Sequence, residues 1–254
     1  NKSNLRKNMT QQKITKDGKL TTPLFHGTST IFLESIIENG LGGRNPIKDL
    51  NLFELANEVY TLSEKYLKGT KLYEKSYGSF ELMIKQNTGT ALSMNFQHGD
   101  TYLSPNQKTA IKYVIGDPYT RLTNKRPQYG SELLTYTLNF MMEIIKKEIP
   151  EVEDELIDRF PIVYNFLKSW PSPIVIELND VPIDHLLSES GNDPDETLKK
   201  IQFAFDKDIP DLCQQYNFRL FQPVESSELK FWLINDQQRD TETEEFKLYQ
   251  IMTN

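Results

Sequence analysis

The sequence predicts an α+β fold, and two patterns carry that prediction. Short apolar runs bounded by turn residues read as strands, and Pro173-Ile174-Val175-Ile176-Glu177-Leu178 is the best of them. Longer stretches with apolar residues at helical spacing read as helices, above all the run from Ser131 to Pro150 with Leu134, Leu138, Met141 and Ile145.

The elements follow in order. Residues 1–22 form a polar, locally basic arm, with Lys2, Arg6, Lys7, Lys13, Lys16 and Lys19 against Asp17, and its expected state is solvated. Leu24-Phe25-His26-Gly27-Thr28 reads as a short strand ending in a turn. Ser29 or Thr30 can cap the helix that follows, with Ile31, Phe32, Ile36 and Ile37 on one face. Asn39-Gly40 stops that helix, because glycine accepts a positive φ without a Cβ clash. Residues 50–86 read as helical, and their lysines (Lys65, Lys68, Lys71, Lys75) read as a solvated face. Ala91–Phe96 and Thr101–Leu103 are short candidate strands. Ser104-Pro105 reads as the start of a helix through Ala110, Ile111 and Tyr113–Ile115. A polar loop with Arg121, Lys125 and Arg126 precedes the helix from Ser131. Glu151–Leu167 reads as a helix broken near Pro161, and 195–216 as helical again. Phe218–Phe221 and Leu229–Ile234 read as two late strands, and 236–254 as a charged, peripheral segment.

Composition narrows the function classes. The chain has 254 residues, and 11% aromatic content is too high for a disordered chain. No apolar run approaches the ~18 residues of a membrane span, so no membrane partner is expected. The single cysteine, Cys213, excludes an internal disulfide and reads as a small buried residue. His26, His98 and His185 show no metal-ligand spacing, so no metal is expected. A net charge of −7 weighs against a general nucleic-acid coat, which needs clustered positive charge.

Two segments stand out together. A strand-end His26-Gly27-Thr28 opens one helix, and 76 residues after the histidine a strand-end Tyr102, followed by Leu103 and Ser104, opens another that contains Tyr113. This layout resembles the ADP-ribosyltransferase superfamily, in the His-Tyr-Glu branch of diphtheria toxin and the poly-ADP-ribose polymerases. The resemblance covers residues 23–115 and 172–235. It implies a small mixed split β-sheet core in a single domain, 23–235, with large helical insertions at about 45–90 and 117–170.

The resemblance also implies NAD as cosubstrate. His26 would bond the adenosine ribose, and the Gly27 backbone would read the nicotinamide amide. Tyr102 and Tyr113, 11 positions apart, would sandwich the nicotinamide ring, with Thr28 and Ser104 completing the pocket. The chemistry is coherent, since an aromatic face attracts a flat cationic ring and glycine lets the backbone approach. Arg121 and Arg126 are candidates for the pyrophosphate, because guanidinium pairs bidentately with phosphate.

Cleaving the glycosidic bond builds positive charge on the ribose, and a carboxylate nearby stabilises it. The family places a glutamate on a late strand, where this chain has Arg219 or Gln222. Gln222 is a neutral substitute. Glu132 is the leading alternative, at the start of the helix after the Arg-rich loop, where a carboxylate is also favoured by the helix dipole alone.

The expectation is therefore an enzyme that releases nicotinamide and moves ADP-ribose to a protein side chain. Its Lys-, Asn- and Ile-rich composition suggests an AT-rich bacterial genome. That makes it a soluble, toxin-like effector of the bacterial cytoplasm or secreted into a host cell, with a host protein as target. Transfer to nucleic acid and an inactive NAD-binding or protein-interaction module are the alternatives.

Overall fold

The computed structural model describes residues 13–86, 99–115, 129–147, 149–239 and 246–253. The chain begins with a hairpin of β1 (Thr15–Lys16) and β2 (Lys19–Leu20). Asp17 and Gly18 turn it with φ of 51° and 75°, as a two-residue hairpin requires. Residues 13–22 are therefore not a solvated arm. Ile14 and Leu20 are buried, and the Leu20 N–H donates to the Val181 carbonyl. Two apolar side chains spaced among lysines suffice to anchor this hairpin, a signal the charge pattern obscures.

β3 (Leu24–Ser29) leads through a 3-10 turn, Thr30–Phe32, into α1 (Leu33–Asn39), which ends at Gly40 with φ 77°. Ser29 does not cap this helix with its side chain; its Oγ donates to the Tyr129 carbonyl. Asn45 caps α2 (Pro46–Asp49), its Oδ1 accepting from Ile47 N and Lys48 N. The helical stretch read over 50–86 is two helices, α3 (Leu52–Tyr66) and α4 (Lys71–Gln86), separated near Gly69, whose φ is 84°.

β4 (Tyr102–Leu103) precedes α5 (Gln107–Ile115). The residue capping α5 is Asn106, whose Oδ1 accepts from Thr109 N, while Ser104 Oγ accepts from Asn106 N. The long helix arrives as expected in α6 (Glu132–Ile145), with Ser131 Oγ accepting from Leu134 N. α7 (Pro150–Arg159) and α8 (Pro161–Lys168) meet at Phe160, each with proline in its first turn. The remaining elements are β5 (Pro173–Leu178), β6 (Leu186–Ser188), α9 (Asp195–Asp206), a 3-10 segment over Pro210–Gln215, β7 (Phe218–Leu220), β8 (Leu229–Arg239) and β9 (Phe246–Ile251).

The strands form small antiparallel sheets, in the orders β3-β5-β8-β9 and β4-β7-β6, besides the β1-β2 hairpin. With the helices, they make the fold α+β. The segment after residue 235 is not wholly peripheral. β8 continues through it and β9 closes the sheet edge, with Phe246 and Leu248 packed toward Phe25 and α5. Glu177 interrupts the apolar run of β5 and accepts from Asn179, Lys230 and the Trp232 indole, which satisfies it within the sheet.

One feature of the packing positions the site. The helices of both insertions, α3, α4, α6, α7 and α8, share a single apolar core that includes Leu55, Phe80, Leu138, Phe140, Leu156 and Phe166. Each such fully buried side chain contributes about 1.5–3 kcal/mol. Residues 45–86 and 129–168 are thus one helical lobe beside the strand core, not two decorations. No helix among the described residues is long and apolar enough to cross a membrane.

Candidate active site

The two small sheets touch at one point, where Phe25 and Ser104 exchange backbone hydrogen bonds of 2.8 Å. Beyond that point the strands splay. The next pair in the register is Gly27 and Tyr102, but the Tyr102 carbonyl is taken at 2.8 Å by His26 Nδ1. The carbonyl can only accept, so Nδ1 carries the proton and Nε2 is left as an acceptor. By the two-residue period of a strand, Gly27 turns its own N–H and C=O to the same side as Phe25, into the gap.

The other period of β3 sorts its side chains. Phe25 and Gly27 face α5, and His26 and Thr28 line an open cleft on the opposite face. The cleft is open to solvent, with a cavity volume of about 90 Å³. Its wall is apolar at Phe32, Ile36, Leu41, Pro46 and Ile47, and polar at His26, Thr28, Arg44, Asp100 and Ser131. A flat apolar group and a polar, charged tail both find their chemistry there.

Burial lowers the pKa of His26, and the bond to Tyr102 opposes that shift. The histidine is therefore neutral at pH 7. Between its folded pKa and the ordinary 6.5, the unfolded chain binds more protons than the native one. Stability contributed by neutral His26 is thus present above pH 6.5 and lost as pH falls through the folded value. Melting temperatures of wild type and His26→Gln between pH 7.5 and pH 5 should show a steeper acid loss in wild type. Parallel curves would mean that His26 titrates in the fold as it does in the unfolded chain.

Glu132 stands in the first turn of α6, and two contacts pin the entry to that turn to β3. Ser29 Oγ donates to Tyr129 O, and a Cβ at Gly130 would lie 2.7 Å from Thr28 Oγ1; Tyr129 N in turn donates to Thr135 Oγ1 within the helix. A helix N-terminus normally lowers a carboxyl pKa, yet that of Glu132 is raised by desolvation of its carboxyl, although the residue as a whole is exposed. The Tyr113 phenol is raised too, first by burial and then by the charges of Glu189 and Glu132 and by Tyr102. Tyr102, Tyr113, Glu132 and Glu189 therefore share one electrostatic neighbourhood.

On β7, Phe218 and Leu220 are buried in the core, so Arg219 takes the other face, directly across from Tyr102. Arg219 Nη1 donates to Asp100 Oδ2 at 3.0 Å. Asn217, one step outside the strand, donates to Glu189 at 3.4 Å. Gln222 lies past the strand end, exposed, outside the lining of the cleft. Ser104 is buried and its hydroxyl is used in the α5 turn. Arg121 and Arg126 lie outside the described residues.

Of the expected site residues, His26 and Thr28 thus line the cleft, whereas Tyr102, Tyr113 and Glu132 lie outside its lining, Tyr113 on the helix that packs against the other face of β3. Sequence reading missed Arg44, Asp100 and Glu189. The run Gly40-Leu41-Gly42-Gly43-Arg44 was a usable signal for the first, since glycines let the chain wrap a cleft and an arginine follows them. The other two are set by strand pairing and leave no local mark. No group of three or more His, Cys, Asp and Glu among the described residues is placed to hold a metal. No protein-family model, curated protein or solved structure matches this chain.

Proposed function

We propose that the chain is an NAD-dependent mono-ADP-ribosyltransferase, which cleaves nicotinamide from NAD⁺ and passes ADP-ribose to a protein side chain. The observation that carries the reading is the hydrogen bond from His26 Nδ1 to the Tyr102 carbonyl at the splay of the two sheets. It joins the two segments that the family resemblance singled out, and it leaves the histidine acceptor and the Gly27 amide facing one gap.

In this reading Tyr102 and Tyr113 hold the nicotinamide ring, whose positive charge suits their faces and the nearby carboxylates. His26 Nε2 accepts from the adenosine ribose. Arg44, the cation lining the cleft, takes the diphosphate. Glu132 faces the ribose carbon as the bond to nicotinamide breaks; its charge stabilises the oxocarbenium-like centre. The bonding pair leaves with nicotinamide, and the acceptor's lone pair forms the new bond as its proton departs. The helical lobe that carries Glu132 also supplies the surface a protein acceptor would meet.

The test is incubation of the full chain with NAD⁺ labelled in the adenylate, alone and with a cell lysate. Release of free nicotinamide with label transferred to protein is expected. Binding of NAD⁺ with neither release nor transfer would replace this reading with that of a binding module.

A further inference from the structure

We infer that Asp100, held by Arg219, works with His26 to read the vicinal diol of the adenosine ribose, so that the site takes NAD⁺ and rejects its 2′-phosphorylated form. The inference rests on the reading of the cleft as a dinucleotide site.

Both residues line the same cleft. The His26 tautomer is fixed by the Tyr102 carbonyl, so Nε2 offers a lone pair and no proton. Asp100 stands two residues before Tyr102, and its Oδ2 is bound by Arg219 at 3.0 Å, with the two side chains 28% and 21% exposed. A carboxylate only accepts, and the one hydrogen bond from Arg219 falls on Oδ2 of a carboxylate that lines the cleft. The site thus presents two acceptors, and a vicinal diol presents two O–H donors. An acidic side chain that accepts from a ribose 2′-hydroxyl is also how unrelated dinucleotide sites distinguish the two forms.

A 2′-phosphate removes one of those donors and sets a dianion beside a carboxylate. Arg219 cannot rescue it, because its charge is engaged by Asp100. Arg44, the one cation lining the cleft among the described residues, faces the demand of the diphosphate.

The measurement is calorimetric titration of the full chain with NAD⁺ and, separately, NADP⁺. Wild type is expected to prefer NAD⁺ by about 100-fold or more, the scale of a like-charge juxtaposition. In Asp100→Asn the amide turns its oxygen to Arg219 and its NH2 to the cleft. NAD⁺ binding should weaken about 10- to 100-fold, the range for a lost bond to a charged acceptor, and NADP⁺ binding should strengthen. A merely structural role would weaken both ligands alike. Arg219→Gln leaves Asp100 present but unheld, and is expected to weaken NAD⁺ while NADP⁺ stays excluded; it serves as the second variant should Asp100→Asn melt early.

Equal affinity of wild type for the two dinucleotides, or an unchanged preference in Asp100→Asn, overturns the inference and leaves the reading of the cleft standing. If wild type binds neither dinucleotide, the reading of the cleft fails and the inference with it.

Discussion

Gly27→Ala is expected to lower the melting temperature by about 6 °C, since overpacking of about 3 kcal/mol translates into a shift of that size in a chain this long. A Cβ at position 27 would lie 2.0 Å from the Ala110 carbonyl oxygen and 2.6 Å from Val114 Cγ2. The first of these is helix backbone and cannot rotate away. Strand β3 and helix α5 would have to separate, and both sheets meet on that strand. The need for glycine is therefore a packing need, present with or without a ligand. Thermal denaturation followed by circular dichroism gives the answer, and a variant melting within two or three degrees of wild type would show that α5 can shift at little cost.

Glu132→Gln is expected to lower nicotinamide release about 10²–10³-fold, the loss typical of removing one electrostatic stabiliser of a transition state. The same variant should be more stable than wild type at neutral pH. The sign follows from the direction of the shift. Desolvation of the carboxyl raises the folded pKa above the ordinary 4.5. Between those values the native chain binds more protons than the unfolded one, so stability is fullest at low pH and falls as pH rises through the window. Glutamine escapes that loss. Melting curves of the two proteins should therefore converge below pH 4.5 and diverge above it. An inactive but more stable variant is the pattern of a group kept for chemistry at the expense of folding. Full activity in Glu132→Gln would move the catalytic role to another carboxylate, with Glu189 the nearest alternative.

Local signals told the sequence reader most about single elements. Gly40 stopping α1 and the helix that starts at Ser131 are each written within a few residues, and they stand where the pattern put them; His26-Gly27, read as a strand's end, lies inside β3, which pairs with β5 through Ser29. Pairing between distant strands is not written locally, because register depends on which partner arrives and on which face is buried. Arg219 shows this. Its side-chain direction follows from Phe218 and Leu220 being buried, and its partner Asp100 stands two residues before β4, the strand it pairs with, 119 residues away. The α5 cap moved from Ser104 to Asn106 because Ser104 is already committed to the junction with Phe25. The hairpin at 13–22 was hidden because a Lys-rich composition outweighed two apolar residues that decide its fate.

The position of α6 bears on how this protein could be divided. Its apolar face is the spine of the helical lobe, and the residues leading into its first turn are held to strand β3 through Ser29 and Thr28. A fragment cut back to the strands would lose a wall of its own cleft, Gly130 and Ser131 with it. A fragment cut back to the helices would lose His26 and Thr28 from the same cleft. The two helical stretches, separate in sequence, and the strands beside them build one cleft that neither part holds alone.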